Sequence, residues 1–306
     1  MNILFNCDEN YVPYLSVVAL SIIKNHPEES VHFYVLSLNI SQSSQKYLKA
    51  FCQKQGSEIT FIEIDPQQFE NLPKTISYIS PVTYARLFAV DYLPIDLDRI
   101  LYMDIDLIVN ANLSSFYYID FGANALAVVP DILFNIGNKE YKTTIGLSSK
   151  DVYFNAGVML LNLEIWRTRN LKEDISDFIT KFPNFTCQDQ DILNYIFNDS
   201  KICVDARYNF QTDTRKCVTK WDKVKVFLGN TNCSMPIAIY HSTGHVKPWM
   251  PEAVSLGATI FSRYAKQVKD VLPVPSEWAD KFKSVTCVIH YKRFMRKLRY
   301  RFKGVY

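Results

Sequence analysis

The sequence predicts an α/β protein in which helices flank a mixed sheet and a basic helical segment ends the chain. Apolar runs and helical patterns alternate from Asn2 to Ile64, as in doubly wound folds. A further apolar run, Arg99–Met103, stops abruptly at two carboxylates, Asp104 and Asp106. From Lys281 onward nine basic residues and no acidic residue occur, whereas the rest of the chain is net acidic.

The first half is predicted to alternate strictly between strands and helices. Its elements are strand Asn2–Asn6, helix Pro13–Lys24, strand Val31–Leu38, helix Ser41–Gln55 and strand Glu58–Ile64. Pro13 suits a first helical turn, Ser41 suits an N-cap and Gly56 suits a helix end. This alternation predicts parallel pairing, so the Cys7–Tyr11 loop should share the ligand-binding edge with Asp104 and Asp106.

The second half is less regular. Its predicted elements are helix Pro81–Leu93, strands Arg99–Met103, Asn124–Val129 and Val158–Leu163, helix Gln188–Phe197 and strand Ile237–Tyr240. Neither a Gly-x-Gly-x-x-Gly nor a Walker motif occurs, which disfavours a dinucleotide dehydrogenase or a P-loop enzyme.

Composition predicts a soluble protein of the cytoplasm. The 306 residues are 48% hydrophobic and 21% charged, and the net charge is +3. The N-terminus lacks the basic start of a signal peptide, and no apolar run is long enough to span a bilayer. The seven cysteines are scattered without a Cys-x-x-Cys pair, which favours reduced thiols.

Asp104 and Asp106 are candidate metal ligands. Residues two apart on an extended chain share a face, and adjacent carboxylates repel unless a cation lies between them. The bare pattern is weak, because Asp96/Asp98 and Asp189/Asp191 repeat it and turn or helix-cap roles are common. The buried run in front of Asp104 favours the metal interpretation.

Six ordered motifs add specificity. They are Asp8-x-Asn10-Tyr11, Tyr84-Ala85-Arg86, Asp104-Ile105-Asp106, Asn155-Ala156-Gly157, Asp189-Gln190-Asp191 and His241…Gly244-x-x-Lys247-Pro248-Trp249. In this order the chain resembles glycosyltransferase family 8, and within it the bacterial lipooligosaccharide α-1,4-galactosyltransferases. The resemblance covers essentially the whole chain.

The resemblance implies a GT-A fold and a retaining transfer of a hexose from a UDP-sugar. Galactose is favoured over glucose, and the acceptor would be a saccharide of a lipooligosaccharide or lipopolysaccharide. Asp104, Asp106 and His241 would hold Mn²⁺, with Mg²⁺ as the alternative. Two carboxylates and an imidazole suit Mn²⁺ better than Mg²⁺, which prefers oxygen ligands.

The resemblance also assigns residues to the donor. Lys247 would face the β-phosphate, and the nucleoside would rest on Asn6, Asp8, Asn10 and Tyr11. The remaining predicted donor residues are Arg86, Asp104, Ile105, Asp131, Asn155, Gly157 and Gly244. The catalytic residues would be Gln190 and Asp189. Because an amide is a poor nucleophile, same-face substitution through an oxocarbenium ion pair is favoured over a covalent intermediate.

The acceptor side departs from the family pattern. Tyr78 stands where close relatives carry a histidine, and Ser242, Thr243 and His245 differ from the usual sequence after the site histidine. The Gln211–Gly229 segment is also shorter. Tyr78 and Thr243 are therefore predicted to face an acceptor whose identity the resemblance does not supply.

Residues 275–306 are predicted to associate with the membrane, after a catalytic domain at 1–274. Val288, Tyr291, Met295, Leu298 and Phe302 form one apolar stripe among Lys292, Arg293, Arg296, Lys297, Arg299, Arg301 and Lys303. Such a helix suits an anionic inner-membrane surface. A helix packed on its own domain and an RNA-binding arm are the alternatives, although no nucleic-acid partner is expected. A non-catalytic lipid- or nucleic-acid-binding protein is the rival function, but it leaves the site motifs unexplained.

Overall fold

The computed structural model describes residues 1–69, 72–73, 81–211, 234–253 and 255–286. The strands are β1 Asn2–Asp8, β2 His32–Leu38, β3 Glu58–Glu63, β4 Arg99–Met103, β5 Leu107–Val109, β6 Leu126–Pro130, β7 Phe154–Asn162, β8 Lys201–Cys203, β9 Phe210–Gln211 and β10 Ile239–His241. The helices are α1 Val12–Asn25, α2 Gln42–Lys54, α3 Ala89–Tyr92, α4 Ser114–Tyr117, α5 Tyr141–Thr144, α6 Leu163–Thr168, α7 Leu171–Lys181, α8 Asp189–Ile196, α9 Leu256–Val271 and α10 Ala279–Thr286.

A seven-stranded sheet in the order β3-β2-β1-β4-β7-β6-β8 forms the centre of the molecule. β7 runs antiparallel to both of its neighbours, whereas the other pairs are parallel. The sheet is therefore mixed, and the parallel pairing predicted from the first half holds for β1–β4. Because β1 and β4 are parallel, with Ile3 opposite Leu101, their carboxyl ends share one edge.

Successive side chains of β4 enter two different cores. Leu101 and Met103 pack on one face of the sheet, and Ile100 and Tyr102 pack on the other. Alternating strand side chains that are buried on both faces require a continuous apolar run. This burial explains why the apolar sequence continues up to Asp104.

Several local predictions are confirmed. Ser41 caps α2, since its Oγ accepts from the Ser44 N–H at 3.2 Å. Gly56 follows α2 with φ of +72°, a left-handed conformation that suits glycine. In the part of the chain that the structure describes, four cysteines are free thiols, namely Cys7, Cys52, Cys187 and Cys203.

Other boundaries differ from prediction. β1 extends to Asp8 and β7 begins at Phe154, so Asp8, Asn155 and Gly157 lie within strands, although the predicted strands do not include them. The segment predicted as one helix from Pro81 to Leu93 is a 3₁₀ helix, Pro81–Phe88, followed by α3.

Two side chains meet the backbone of the 3₁₀ segment. The Thr83 carbonyl accepts from Arg86 Nε at 3.2 Å and from Asn6 Nδ2 at 3.4 Å. These contacts hold the segment beside the end of β1 and fix the position of the Arg86 side chain.

A second sheet in the order β5-β10-β9 lies beside the first. Its strands come from distant parts of the chain and contain only two or three residues each. Helix α1 supports it, because the Ser21 Oγ accepts from the Val109 N–H at 3.2 Å and Asn25 Nδ2 donates to the Val109 carbonyl at 3.3 Å.

Helix α10 packs on the body of the protein. Trp278, just before it, is buried and meets the Tyr47 ring edge-on at 4.7 Å, and Phe282 is buried in the same core. Residues 276–282 of the predicted membrane segment thus cover the body, while the apolar stripe from Val288 lies outside the described residues. Within the described ranges, no helix is both apolar and long enough to cross a membrane.

Candidate active site

Asp104, Asp106 and His241 converge at the carboxyl edge of the large sheet. Asp104 follows β4, Asp106 precedes β5, and His241 ends β10, where it pairs with Leu107 across an antiparallel register. Each side chain offers one ligand atom, and these atoms lie within 4.8 Å of one another. His241 Nε2 is 3.0 Å from Asp106 Oδ1 and 3.7 Å from Asp104 Oδ2.

The other carboxylate oxygens are already paired. Asp104 Oδ1 accepts from the Tyr102 hydroxyl at 2.7 Å and from Arg86 at 3.2 Å. Asp106 Oδ2 lies 2.5 Å from Lys247 Nζ. This pairing directs Asp104 Oδ2, Asp106 Oδ1 and His241 Nε2 toward one point, so the three residues fit a divalent metal ion.

The environment of Asp106 favours its negatively charged form. Burial alone would raise the pKa of this carboxyl, but Lys247 and His241 outweigh burial and hold it well below its usual range. Asp106 is therefore a carboxylate at neutral pH, as a metal ligand must be.

Gly157 leaves the space that this cluster occupies. A Cβ at position 157 would lie 2.2 Å from His241 Cε1 and 2.6 Å from Asp104 Oδ2. Both distances are too short for real contacts, so any side chain on this residue of β7 would displace the cluster. The resemblance assigns Gly157 to the donor, and in the structure its immediate neighbours are the candidate metal ligands His241 and Asp104.

Arg86 connects the metal cluster to Asp189. Its guanidinium is buried, lies 4.6 Å from the Tyr102 ring centroid and pairs with Asp104. On its other side Nε is 2.5 Å from Asp189 Oδ2. Burial raises the pKa of Asp189 to about 6, although the guanidinium opposes this shift.

Hydrogen bonds hold both ends of the Gln190 side-chain amide. Its Oε1 accepts from the Ala156 N–H at 3.0 Å and from Asn155 Nδ2 at 3.2 Å. Its Nε2 donates to the Tyr153 hydroxyl at 3.3 Å and to Asp131 Oδ2 at 3.4 Å. The orientation of the Gln190 amide is therefore fixed from both ends.

These groups surround one open cleft. Arg86, Asp104, Asp106, Asp131, Asn155, Gly157, Asp189, Gln190, His241, Thr243 and Lys247 all line it. Eleven predicted site residues from distant positions in the chain thus meet in one place, with carboxylates, amides and cations facing a common space. Such a cleft can hold a metal-bound anion at one end and hydroxyl groups at the other.

Comparisons with known proteins agree with this geometry. Residues 2–253 match the sequence model of glycosyl transferase family 8. The chain belongs to glycosyltransferase family 8. A Haemophilus influenzae protein named as a glycosyltransferase is 33% identical over 300 residues, which cover 98% of this chain and 88% of that protein.

Two further relatives of family 8 extend the comparison. The crystal structure of galactosyltransferase LgtC with donor and acceptor sugar analogues has a TM-score of 0.81 at 32% identity, and the match covers 92% of this chain and all of LgtC. The lipopolysaccharide 1,3-galactosyltransferase of Salmonella typhimurium is 26% identical over 89% of this chain and 78% of its own length. The chain is a sugar-transferring enzyme with a GT-A-like fold, which decides against the non-catalytic alternative.

The residues predicted for the nucleoside lie at the end of β1 and in the turn after it. Asp8 Oδ1 accepts from the Asn10 N–H at 2.9 Å, which shapes this turn. The Tyr11 ring meets Trp249 edge-on at 5.7 Å, and Trp249 stacks on Tyr14 at 3.9 Å. Burial raises the pKa of Tyr11 while the Lys247 charge lowers it.

Two predicted donor residues, Ile105 and Gly244, are not among the residues that line the cleft. The Ile105 side chain is buried in a core cluster, so only its backbone can face a ligand. Gly244 is buried in the turn after β10. Tyr78 lies outside the described residues.

Two residues at the site were not predicted. The Thr83 hydroxyl donates to Asp189 Oδ1 at 3.2 Å, and its position three residues before Arg86 is a signal that could have found it. Asn209 bonds to His241 from an irregular segment, where no sequence pattern marks it.

Proposed function

We propose that this enzyme transfers a hexose, galactose in preference to glucose, from a UDP-sugar to a saccharide of lipooligosaccharide or lipopolysaccharide. The transfer retains anomeric configuration and depends on Mn²⁺. The convergence of Asp104, Asp106 and His241 beside Lys247 is the main support, because it suits a metal-bound diphosphate. The names of the relatives support the acceptor class, since they include lipopolysaccharide galactosyl- and glucosyltransferases.

At the diphosphate end, the cluster and Lys247 share the binding. Asp104, Asp106 and His241 would hold Mn²⁺, which supplies Lewis-acid stabilisation of the charge on the departing UDP. The Lys247 ammonium adds a second positive charge on the same side, positioned by Asp106. Asn6, Asp8, Asn10 and Tyr11 would support the ribose and the base.

At the sugar end, the amide network orients hydroxyl groups. Asp131, Asn155 and Gln190 line the cleft and hold one another, so their free donor and acceptor directions are fixed. Arg86 forms ion pairs with Asp104 and Asp189. These ion pairs favour a role for Arg86 in holding the two carboxylates in place, in addition to any contact with the sugar.

The environment of Gln190 supports same-face substitution. Its amide oxygen already accepts two hydrogen bonds, so no lone pair is free to attack the anomeric carbon. Asp189 is tied to Arg86 and Thr83. We therefore favour an oxocarbenium ion pair in which a phosphate oxygen of leaving UDP takes the proton of the acceptor hydroxyl.

Replacement of Gln190 by alanine tests this mechanism. A residue that only stabilises positive charge contributes a few kcal/mol, so Gln190→Ala should lower kcat by about 100-fold without abolishing turnover. Mass spectrometry of the variant and of the wild type should find no sugar attached to Asp189. Complete loss of turnover, or a trapped sugar on Asp189, contradicts the ion-pair route.

Release of UDP from UDP-galactose and UDP-glucose tests the activity itself. Slow hydrolysis should require Mn²⁺, proceed faster with the galactose donor and stop when EDTA is added. Full activity in EDTA would reject the metal dependence, and equal inactivity with both donors would reject the donor class. Lipooligosaccharide fractions then serve as acceptors, and the product linkage reports retention.

Association with the membrane is a separate part of the proposal. The basic residues after position 286 would bring the enzyme to the cytoplasmic face of the inner membrane, where a glycolipid acceptor lies. Full-length enzyme should sediment with phosphatidylglycerol vesicles, and replacing Lys292, Arg293, Arg296 and Lys297 by glutamine should weaken this. Unchanged sedimentation would reject the role of the basic face.

A further inference from the structure

The orientation of two buried amides follows from one backbone N–H. The Gly157 N–H lies 3.1 Å from one polar atom of the Asn155 side chain, and because a backbone N–H only donates, that atom is Oδ1. The Asn209 side chain reaches the same oxygen at 2.9 Å and must donate with Nδ2. Its remaining atom, Oδ1, therefore faces His241 Nδ1 at 2.8 Å.

This arrangement places a hydrogen on Nδ1 of His241. An amide oxygen accepts and never donates, so the hydrogen between the two groups belongs to His241 Nδ1. Nε2 lies 3.0 Å from Asp106 Oδ1 and also faces Asp104, so it is the nitrogen that a metal ion held by these carboxylates would bind. Metal-binding histidines commonly rely on such a partner at their second nitrogen.

We propose that Asn209 is a positioning residue for the metal site, an inference that rests on the metal dependence proposed above. Asn209 is only 1% exposed and lies between His241 and Asn155, so it acts through His241 rather than on the donor. It immediately precedes β9, which pairs with β10 and keeps the amide beside the ring. It also joins the metal ligand to the amide network around Gln190.

Mn²⁺ affinity tests the role of Asn209. Asn209→Leu removes the acceptor at nearly constant volume and should raise the Mn²⁺ Kd, read from the EPR signal of free Mn²⁺, by about 10- to 100-fold. Asn209→Asp keeps an acceptor toward Nδ1 but loses the donor to Asn155 Oδ1, so it should bind Mn²⁺ more tightly than Asn209→Leu and less tightly than wild type. Asn110→Leu is the matched control, because its amide donates to the Ile237 carbonyl at the other end of β10.

The hydrogen on Nδ1 provides a readout that needs no metal and no variant. In ¹⁵N-histidine-labelled wild-type enzyme without metal, NMR should show that Nδ1 of His241 carries a hydrogen, whether or not Nε2 also carries one toward Asp106. An Nδ1 without a hydrogen, or wild-type Mn²⁺ affinity in Asn209→Leu, would overturn the inference. If the wild type itself bound no Mn²⁺, the proposed metal dependence would fail instead, and the Nδ1 hydrogen would still decide the role of Asn209.

Discussion

The two sheets of this enzyme differ in how they are built and in what they contribute. The large sheet has strands of up to nine residues, its central strands are buried on both faces, and consecutive strands form three of its six pairs. The small sheet is assembled from 107–109, 210–211 and 239–241. Both sheets contribute to the site, since Asp104 directly follows a strand of the large sheet and His241 ends a strand of the small one.

The two sheets therefore contribute differently to the folding stability of the protein and to the geometry of the site. Apolar burial in the large sheet and its helices provides most of the folding free energy, whereas the small sheet offers few backbone hydrogen bonds of its own. Its position depends on α1, through Ser21 and Asn25, and on the close approach of α9 at Gly257, where a Cβ would lie 2.5 Å from Tyr240 Cβ. Changes at the contact between the sheets should impair metal binding more than folding.

The largest effect is expected at Asp106, which links the two sheets. Asp106→Ala removes a metal ligand and the partner of Lys247, and a loss of several kcal/mol of transition-state stabilisation lowers kcat/KM by about 1,000-fold or more. UDP release from UDP-galactose measures it. Asp98→Ala is the control, because this carboxylate shares the Asp-x-Asp pattern but is exposed beside Arg99. Activity within tenfold of wild type in Asp106→Ala would contradict the site.

A smaller effect is expected where β7 of the large sheet meets His241. Gly157→Ala places a methyl group in the space of the imidazole, so His241 must move away from Asp106. The Mn²⁺ Kd should rise by about 10- to 100-fold while the protein stays folded, as far-UV circular dichroism and titration calorimetry can show. Unchanged Mn²⁺ affinity in Gly157→Ala would mean that the two sheets adjust independently.

The smallest effect concerns the support of the small sheet. His26 Nδ1 lies 2.6 Å from the Ile22 carbonyl, and Nε2 accepts from the Leu113 N–H at 2.7 Å, so the ring joins α1 to the segment after β5 as a neutral group. Burial lowers the pKa of His26 below 6.5, although the Ile22 carbonyl and Glu29 oppose this shift. The stability that this histidine provides is complete above about pH 6.5 and is lost as the pH falls toward its folded pKa.

Urea unfolding at several pH values measures this contribution. Between about pH 7.5 and pH 5.5 the unfolding free energy of His26→Gln should fall less than that of wild type, by about 1 kcal/mol. His245→Gln, a change at an exposed ring, is the control and should follow the wild type. Parallel curves for His26→Gln and wild type would show that His26 does not couple this contact to pH.

Local signals account for the parts of the fold that the sequence predicts correctly. Ser41, Gly56 and the apolar run before Asp104 act on their own neighbours, so their effects can be inferred from spacing alone. The contact between Asn6 of β1 and the Thr83 carbonyl in the 3₁₀ segment Pro81–Phe88 could not be predicted this way, because it joins residues 77 positions apart. The placement of Asn155 and Gly157 inside β7 depends likewise on pairing with distant strands.

By itself, the sequence determined the α/β alternation, the shared edge of β1 and β4 and the two carboxylates at that edge. It did so because periodicity and strand ends are local properties. The family resemblance supplied His241, and only the tertiary structure decided how it reaches the cluster, that Gly157 makes room for it and that Asn209 holds its Nδ1. These relations join residues more than 30 positions apart, and burial and hydrogen-bond geometry define them only once the two sheets meet.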